Sequence, residues 1–174
     1  MKNRRSFIKK SSIGIFGASL LSPFSTTSAK SYSRILGSND RVTLAFQGLG
    51  RRFPGLLNSS LKMQNVGIKY FCDVMDNQLD KANNSYYNLT KKKVNSEKDI
   101  HKIIDDKDVD ALIIATPDHW HTYAACKGME AGKHIYLEKP CSHNLRESEL
   151  LVNYQSYYNK SVQMGNQQRS SYET

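Results

Sequence analysis

The sequence predicts an α/β fold, a doubly wound parallel β-sheet with helices on both of its faces. From Arg41 onward, short apolar runs alternate with stretches of helical character, which is the order of successive βαβ units. One of these runs, residues 111–115, is apolar throughout, as expected of a strand buried on both faces of a parallel sheet. Glycines or polar residues follow several of the runs, at the points where strands of such a sheet end.

The composition is typical of one soluble globular domain, since 39% of the 174 residues are hydrophobic and 24% are charged. The net charge of +9 is concentrated at the start of the chain. Residues 1–30 hold six of the 25 lysines and arginines and no acidic residue, which leaves 19 basic and 16 acidic residues, or +3, for the rest. We therefore expect no nucleic-acid partner.

The chain has three cysteines without C-x-x-C spacing, Cys72, Cys126 and Cys141. They predict neither a disulfide framework nor a zinc ribbon.

Residues 1–29 are expected to be a signal peptide of the twin-arginine type, followed by a linker over residues 30–40. Arg4 and Arg5 precede Ser-Phe-Ile-Lys, an apolar stretch covers residues 13–21, and Thr-Ser-Ala at 27–29 forms a cleavage site of small residues. The apolar stretch is shorter than the roughly 20 residues that span a bilayer, so no stable membrane anchor is expected. The alternatives are a basic helix or an ordinary secretory signal. The pattern predicts export of the folded protein to the periplasm.

Mass spectrometry of the exported protein is expected to find an amino terminus close to Lys30, because cleavage would follow Ala29. Substitution of Arg4 and Arg5 is expected to block export. An intact Met1 in a cytosolic fraction would contradict this prediction.

The first two predicted strands enclose a glycine-rich turn. A strand over residues 42–46 runs into Gly48-Leu49-Gly50, a helix is expected at about 55–63, and a second strand over 67–72 ends at Asp73. Glycines permit a tight turn and let the backbone approach a pyrophosphate, and the following helix directs N–H groups at that anion. Asp73 follows Gly48 by 25 residues, close to the expected separation of about 20 for an acid that accepts the ribose hydroxyls.

This spacing predicts a Rossmann-type dinucleotide-binding domain over residues 41–174, with Gly48, Gly50 and Asp73 in the cofactor site. NAD is preferred over NADP, because the Asp73 carboxylate would repel a 2′-phosphate. Alternatively, Asp73 caps the next helix.

Phe53 stands where the third glycine of G-x-G-x-x-G would be, and Pro54 is compatible with a helix that starts there or slightly later. Arg51 and its neighbour Arg52 would add positive charge beside the phosphates.

The middle of the chain is predicted to contain a helix over residues 77–89 and a short strand around Val94. Ser96-x-x-Asp99 resembles a helix start ahead of Ile100. The aspartates between residues 105 and 108 are expected to form a loop, since they lack the glycine and the distal glutamate of a calcium loop.

Polar clusters follow two later strands. The strand over 111–115 leads into Thr116-Pro117-Asp118-His119-Trp120-His121 and a helix to Ala131, and a strand over 134–137 leads into Glu138-Lys139-Pro140. A helix over 146–159 and a strand over 161–165 follow. The His-x-His pair is also a spacing found in zinc hydrolases. It follows Pro117 at a predicted helix start, where residues two apart diverge, so no metal site is expected.

These motifs, together with Glu130-Ala131-Gly132-Lys133-His134 and the Gly-Asn-Gln-Gln-Arg-Ser segment at 165–170, resemble the Gfo/Idh/MocA oxidoreductases. The resemblance covers about Asp40 to Ser170 and is strongest to exported bacterial members related to NAD-dependent glycoside hydrolases. It implies that the glycines and Asp73 hold the adenosine diphosphate half of NAD. It also implies that Thr116, Pro117 and His121 lie beside the ribose and nicotinamide, with Glu138 and Lys139 near the nicotinamide.

Lys139 is the expected catalytic residue, because an ammonium beside a bound nicotinium is positioned to lose affinity for its proton and to bond the hydroxyl being oxidised. The alternative is a solvent-facing lysine before a turn. The resemblance implies hydride transfer between NAD and a sugar or polyol, completed by a second domain that supplies the substrate site and often a homo-oligomer interface. That domain is expected to be missing from this sequence. The alternatives are an NAD-dependent glycosidase and a non-catalytic nucleotide-binding module.

Overall fold

The computed structural model describes residues 41–167 and contains a six-stranded parallel sheet in the order β3-β2-β1-β4-β5-β6. The strands are β1 Val42–Gln47, β2 Val66–Cys72, β3 Asn95–Glu97, β4 Ala111–Ile114, β5 His134–Glu138 and β6 Val162–Gly165. Strand order reverses between β1 and β4, which is the switch point where doubly wound sheets bind ligands. The predicted fold class is confirmed. The predicted signal peptide and linker, and residues 168–174 of the predicted domain, lie outside the described residues.

Five helices connect the strands: α1 Phe53–Leu61, α2 Asp76–Thr90, α3 Ile100–Ile104, α4 His121–Glu130 and α5 Leu145–Tyr158. A 3₁₀ turn over Asp118–Trp120 precedes α4. Within residues 41–167, no helix has both the length and the apolar character needed to cross a bilayer.

The helices cover both faces of the sheet, and each face has its own apolar core. Along β1, Leu44 and Phe46 belong to the core beneath α1 and α2, whereas Ala45 belongs to the core beneath α3, α4 and α5. This alternation follows from the two-residue period of a strand. Phe46, Phe53 and Phe71 are each at most 3% exposed and meet edge to face, with ring centroids 5.0–5.8 Å apart. They join β1, β2 and the start of α1.

Two predicted helix starts are wrong in detail. α1 begins at Phe53 rather than at Pro54 or later, because burial of the Phe53 ring in the core fixes the first turn. Ser96 lies within β3, where parallel pairing with β2 overrides its tendency to start a helix. The cap of α3 is Asp99, whose carboxylate accepts a hydrogen bond from the His101 amide at 2.9 Å.

Asp106 lies between α3 and β4 and holds neighbouring elements together. Its carboxylate accepts hydrogen bonds from Lys69 at 2.7 Å and from the Tyr70 hydroxyl at 2.8 Å. The Lys69 ammonium is the main cause that lowers the pKa of Asp106 to about 2. The predicted loop of aspartates is therefore a structural link between β2 and β4.

Replacing Asp106 by asparagine is expected to lower the free energy of unfolding at neutral pH by about 1–2 kcal/mol. Because the folded-state pKa is depressed, the carboxylate stabilises the fold above the unfolded pKa of about 3.9, and this contribution is lost as the pH falls towards 2. Urea denaturation of wild type and Asp106→Asn should show a difference that shrinks below about pH 4. The control is Asp108→Asn, because Asp108 contacts the same lysine with an 82% exposed side chain. Equal effects of the two substitutions would contradict the prediction.

Candidate functional site

The turn between β1 and α1 is shaped by Gly48. Its φ of +85° lies in the left-handed region, and a Cβ at this position would lie 2.6 Å from the carbonyl carbon and oxygen of Ala115. The Gly48 amide donates to the Cys72 carbonyl at 2.9 Å. The residue therefore allows the end of β1 to pack directly against the end of β4.

The remainder of this turn is open. A Cβ on Gly50 would meet no atom within 4 Å. Among the described residues, the amides of Gly50, Arg51 and Arg52 donate no hydrogen bond, and α1 starts immediately afterwards. N–H groups at a helix amino terminus are suited to an anion such as a pyrophosphate. Arg51 is exposed beside this turn.

Asp73 lies directly after β2 and fixes two loops. Its Oδ2 accepts from the Leu49 amide at 2.8 Å, and its Oδ1 accepts from the Met75 amide at 3.0 Å. Met75, not Asp73, is the cap residue of α2, so the alternative role of Asp73 as that cap is wrong. Each carboxylate oxygen retains a lone pair for a further donor. The carboxylate is thus held beside the glycine turn and can still bind a ligand hydroxyl.

A crevice of about 600 Å³ opens at the carboxyl ends of β1, β2 and β4. Five of the residues predicted for the cofactor site line it: Gly48, Gly50, Asp73, Thr116 and Pro117. Two residues that line the crevice carry a buried polar atom without a hydrogen-bond partner among the described residues. These atoms are Thr116 Oγ1 and Gln47 Oε1. Because buried polar atoms are normally paired, these two are placed to bond a polar ligand. The volume and the unpaired atoms fit a dinucleotide.

One wall of the crevice is aromatic, which the sequence interpretation missed. Trp120 and Tyr123 have ring centroids 5.9 Å apart, and the Tyr123 hydroxyl lies 3.1 Å from His101 Nε2. All three residues line the crevice. The i, i+3 spacing of Trp120 and Tyr123 at the start of α4 could have indicated that the two rings lie side by side. No sequence pattern places His101 beside them, because it comes from α3.

His121 is buried behind the crevice, at 1% exposure. Its Nδ1 lies 2.6 Å from the Pro140 carbonyl oxygen and its Nε2 lies 2.8 Å from the Thr116 carbonyl oxygen. The ring therefore joins the segment after β4 to the segment after β5. The resemblance places His121 beside the ribose and nicotinamide, but both ring nitrogens already contact the protein.

Glu138 is the last residue of β5 and Lys139 follows it, but the two side chains differ in environment. The Glu138 residue is 6% exposed, and its carboxylate accepts a hydrogen bond from Arg52 Nε at 2.8 Å. This bond raises the pKa of Arg52. Lys139 is exposed, and the bond between Lys139 and Pro140 is cis. Neither Glu138 nor Lys139 lines the crevice, so any contact with the nicotinamide would lie beyond its edge.

The two histidines of the His-x-His pair do not converge. The His119 side chain is 58% exposed and lies 3.6 Å from Asp118, whereas His121 is buried. Asp118 also contacts His143 at 3.4 Å, and this contact is the main cause that lowers the pKa of Asp118. Within residues 41–167, no group of three or more His, Cys, Asp or Glu side chains could hold a metal ion.

Comparison with known proteins identifies the family. A model described as an oxidoreductase family with an NAD-binding Rossmann fold matches residues 44–166. The chain belongs to the Gfo/Idh/MocA oxidoreductase family. The resemblance found in the motifs is confirmed, and NAD is the cofactor of this domain.

Curated relatives include glycosyl hydrolase family 109 proteins. The one from Shewanella pealeana is 27% identical over 165 residues, covering 86% of this chain and 36% of the relative. The one from Solibacter usitatus is 28% identical over 159 residues, covering 87% of this chain and 36% of the relative. The chain thus spans about 36% of the length of these relatives.

Solved structures show the same fold. Myo-inositol 2-dehydrogenase from Lactobacillus plantarum superposes with a TM-score of 0.67 at 23% identity, over 76% of this chain and 38% of that one. The WlbA dehydrogenase from Bordetella pertussis, solved in complex with NADH and UDP-GlcNAcA, gives a TM-score of 0.65 at 18% identity, over 75% of this chain and 36% of that one. At these identities the likeness concerns the fold.

Proposed function

We propose that this chain is the cofactor-binding part of an oxidoreductase that transfers a hydride between NAD and a sugar or polyol, with a further domain supplying the substrate site. The observation that carries the proposal is the fixed Asp73 carboxylate on the wall of the crevice, beside the open turn at Gly50. NAD, when bound, supplies the hydride-accepting nicotinamide ring. The similar folds include a myo-inositol 2-dehydrogenase and a dehydrogenase solved with UDP-GlcNAcA, and both agree with a polyhydroxylated substrate.

Each residue has a distinct part in this proposal. Asp73 would accept the ribose hydroxyls, and the amides that begin α1 would bind the pyrophosphate. The Thr116 hydroxyl, which has no hydrogen-bond partner within residues 41–167, would bond the cofactor. Lys139 is exposed and would exchange a proton with the substrate hydroxyl as hydride moves. His121 would act indirectly, because it holds together the segments that carry Thr116 and Lys139.

Replacing Asp73 by alanine is expected to weaken NADH binding by about 1–3 kcal/mol, the cost of losing a charged hydrogen-bond partner. The preference for NADH over NADPH should also shrink, because the charge that would repel a 2′-phosphate is removed. Fluorescence titration of the chain with both cofactors measures the two effects.

The matched control is Asp76→Ala. Asp76 begins α2, is 77% exposed on its side chain, pairs with Lys98 at 2.7 Å and does not line the crevice. Its removal should leave NADH affinity unchanged. If Asp73→Ala folds and binds NADH as well as wild type does, Asp73 is not part of the site.

A second candidate function is an NAD-dependent glycosidase, which the family 109 relatives favour. Such an enzyme would oxidise the sugar transiently to ease elimination of the glycosidic substituent. Turnover of an aryl glycoside by the whole protein, with transient absorbance of reduced nicotinamide and no net reduction, would support it. Net reduction of NAD with a free sugar or polyol would support the dehydrogenase. Cofactor binding with neither reaction would favour a non-catalytic nucleotide-binding module.

A further inference from the structure

An ion pair connects the glycine turn to the far side of the switch point. Arg52 directly precedes α1, and its Nε donates to Glu138 Oε1 at 2.8 Å, at the end of β5. The two residues are 86 positions apart in the chain. Because β4 lies between β1 and β5 in the sheet, the Arg52 side chain reaches across the end of a strand to make this contact.

The Glu138 carboxylate is held rigidly. In addition to Arg52, its Oε1 accepts from Gln167 Nε2 at 2.8 Å, and its Oε2 accepts from the Lys139 amide at 3.3 Å. The residue is 6% exposed. A buried carboxylate that is fixed from several sides allows its guanidinium partner little choice of orientation, since the donors of arginine form a rigid planar fork.

Only one edge of the Arg52 guanidinium is used by this contact. The Tyr136 hydroxyl is a second polar neighbour of this side chain and adds to the rise in the pKa of Arg52, and 44% of the side chain is exposed. One terminal amino group, Nη1, lies beside the first turn of α1, 3.5 Å from the point that a Cβ on Gly55 would occupy. Arg51 is also exposed but makes no ion pair or hydrogen bond within residues 41–167. Of the two neighbouring arginines, Arg52 alone is preorganised there, and arginine forks suit phosphate oxygens.

We propose that Arg52 is the phosphate-binding side chain of this turn and that Glu138 is a positioning residue that fixes it there. The ligand class is a nucleotide with a pyrophosphate group. This inference rests on the proposed function and deepens it, because it assigns to Glu138 a role toward the phosphates, whereas the sequence motif suggested the nicotinamide. It also assigns the phosphate contact to Arg52 and not to Arg51, a distinction that the sequence does not make.

The inference is tested by titrating the chain with ADP-ribose, which contains the pyrophosphate, and with adenosine, which does not. Arg52→Ala is expected to weaken ADP-ribose binding at least about tenfold and to change adenosine binding less than about twofold. Arg51→Ala is the matched control and should weaken ADP-ribose binding less than about threefold. Thermal unfolding of each variant checks that the fold is intact.

Glu138 is tested by a double-mutant cycle. Glu138→Gln should weaken ADP-ribose binding several-fold in the wild-type background and produce no further loss in the Arg52→Ala background, because its effect acts through Arg52. A merely structural role would give the same loss in both backgrounds and would overturn the positioning role. Arg52→Lys provides a second readout that does not depend on the folding of a Glu138 variant. It keeps the charge without the fork and should lose most of the ADP-ribose affinity that Arg52→Ala loses.

The outcomes separate the two proposals. If wild type binds NADH and ADP-ribose and a folded Arg52→Ala binds ADP-ribose equally well, the role of Arg52 is wrong and the proposed function stands. If wild type binds neither ligand, the proposed function itself is wrong, and the inference about Arg52 fails with it.

Discussion

Replacing Gly48 by alanine is expected to lower the free energy of unfolding by about 2–4 kcal/mol. The new Cβ would have to occupy a left-handed backbone conformation, at φ +85°, which disfavours any residue with a side chain. It would also lie 2.6 Å from the Ala115 carbonyl. That neighbour is backbone at the end of β4, so it cannot move aside without disturbing strand pairing. Urea or thermal denaturation of the purified variant measures the loss.

The matched control lies two residues away in the same turn. Gly50→Ala meets no atom within 4 Å, so its effect on stability should stay below about 1 kcal/mol. Its NADH affinity should nevertheless fall, because the added methyl group occupies the space where a pyrophosphate would approach the backbone. A Gly48→Ala protein as stable as Gly50→Ala would contradict the close packing of β1 against β4.

The strands were the easiest elements to predict from the sequence. The predicted β1 and β2 differ from the observed strands by one residue at one end, and β5 was predicted to within one residue as well. A short apolar run bounded by glycine or polar residues leaves few other places for a strand to begin or end. Ser96 shows the limit of such local rules, because its pairing with Phe71 in β2 depends on a residue far away in the chain.

In the candidate site, too, local sequence patterns predict some residues but not the contacts between distant segments. Gly48, Gly50 and Asp73 follow a fixed spacing, and the structure brings all three to one crevice. The contact of Arg52 with Glu138 spans 86 positions and has no local pattern. The aromatic wall likewise needs α3 to lie beside α4, so that His101 meets Tyr123. Spacing thus predicts the residues that a turn requires, whereas contacts between distant segments follow only from the packing of the sheet.

Replacing His121 by alanine is expected to lower the free energy of unfolding by about 2–4 kcal/mol, since the ring is 1% exposed and contacts a carbonyl with each nitrogen. Its removal leaves a cavity and takes away the partner of the Thr116 and Pro140 carbonyls. Urea denaturation measures the loss. His119→Ala is the matched control, because the side chain of this nearby histidine is 58% exposed and its removal should cost less than about 1 kcal/mol.

A second substitution separates packing from hydrogen bonding. His121→Phe refills most of the volume but offers no donor to the two carbonyls, so a stability loss that persists in this variant assigns the effect to those contacts. NADH affinity should then fall in His121→Phe as well, because the segment that carries Thr116 lines the crevice and loses its tie to the segment after β5. A His121→Phe protein with wild-type stability and wild-type NADH affinity would show that the ring only fills space.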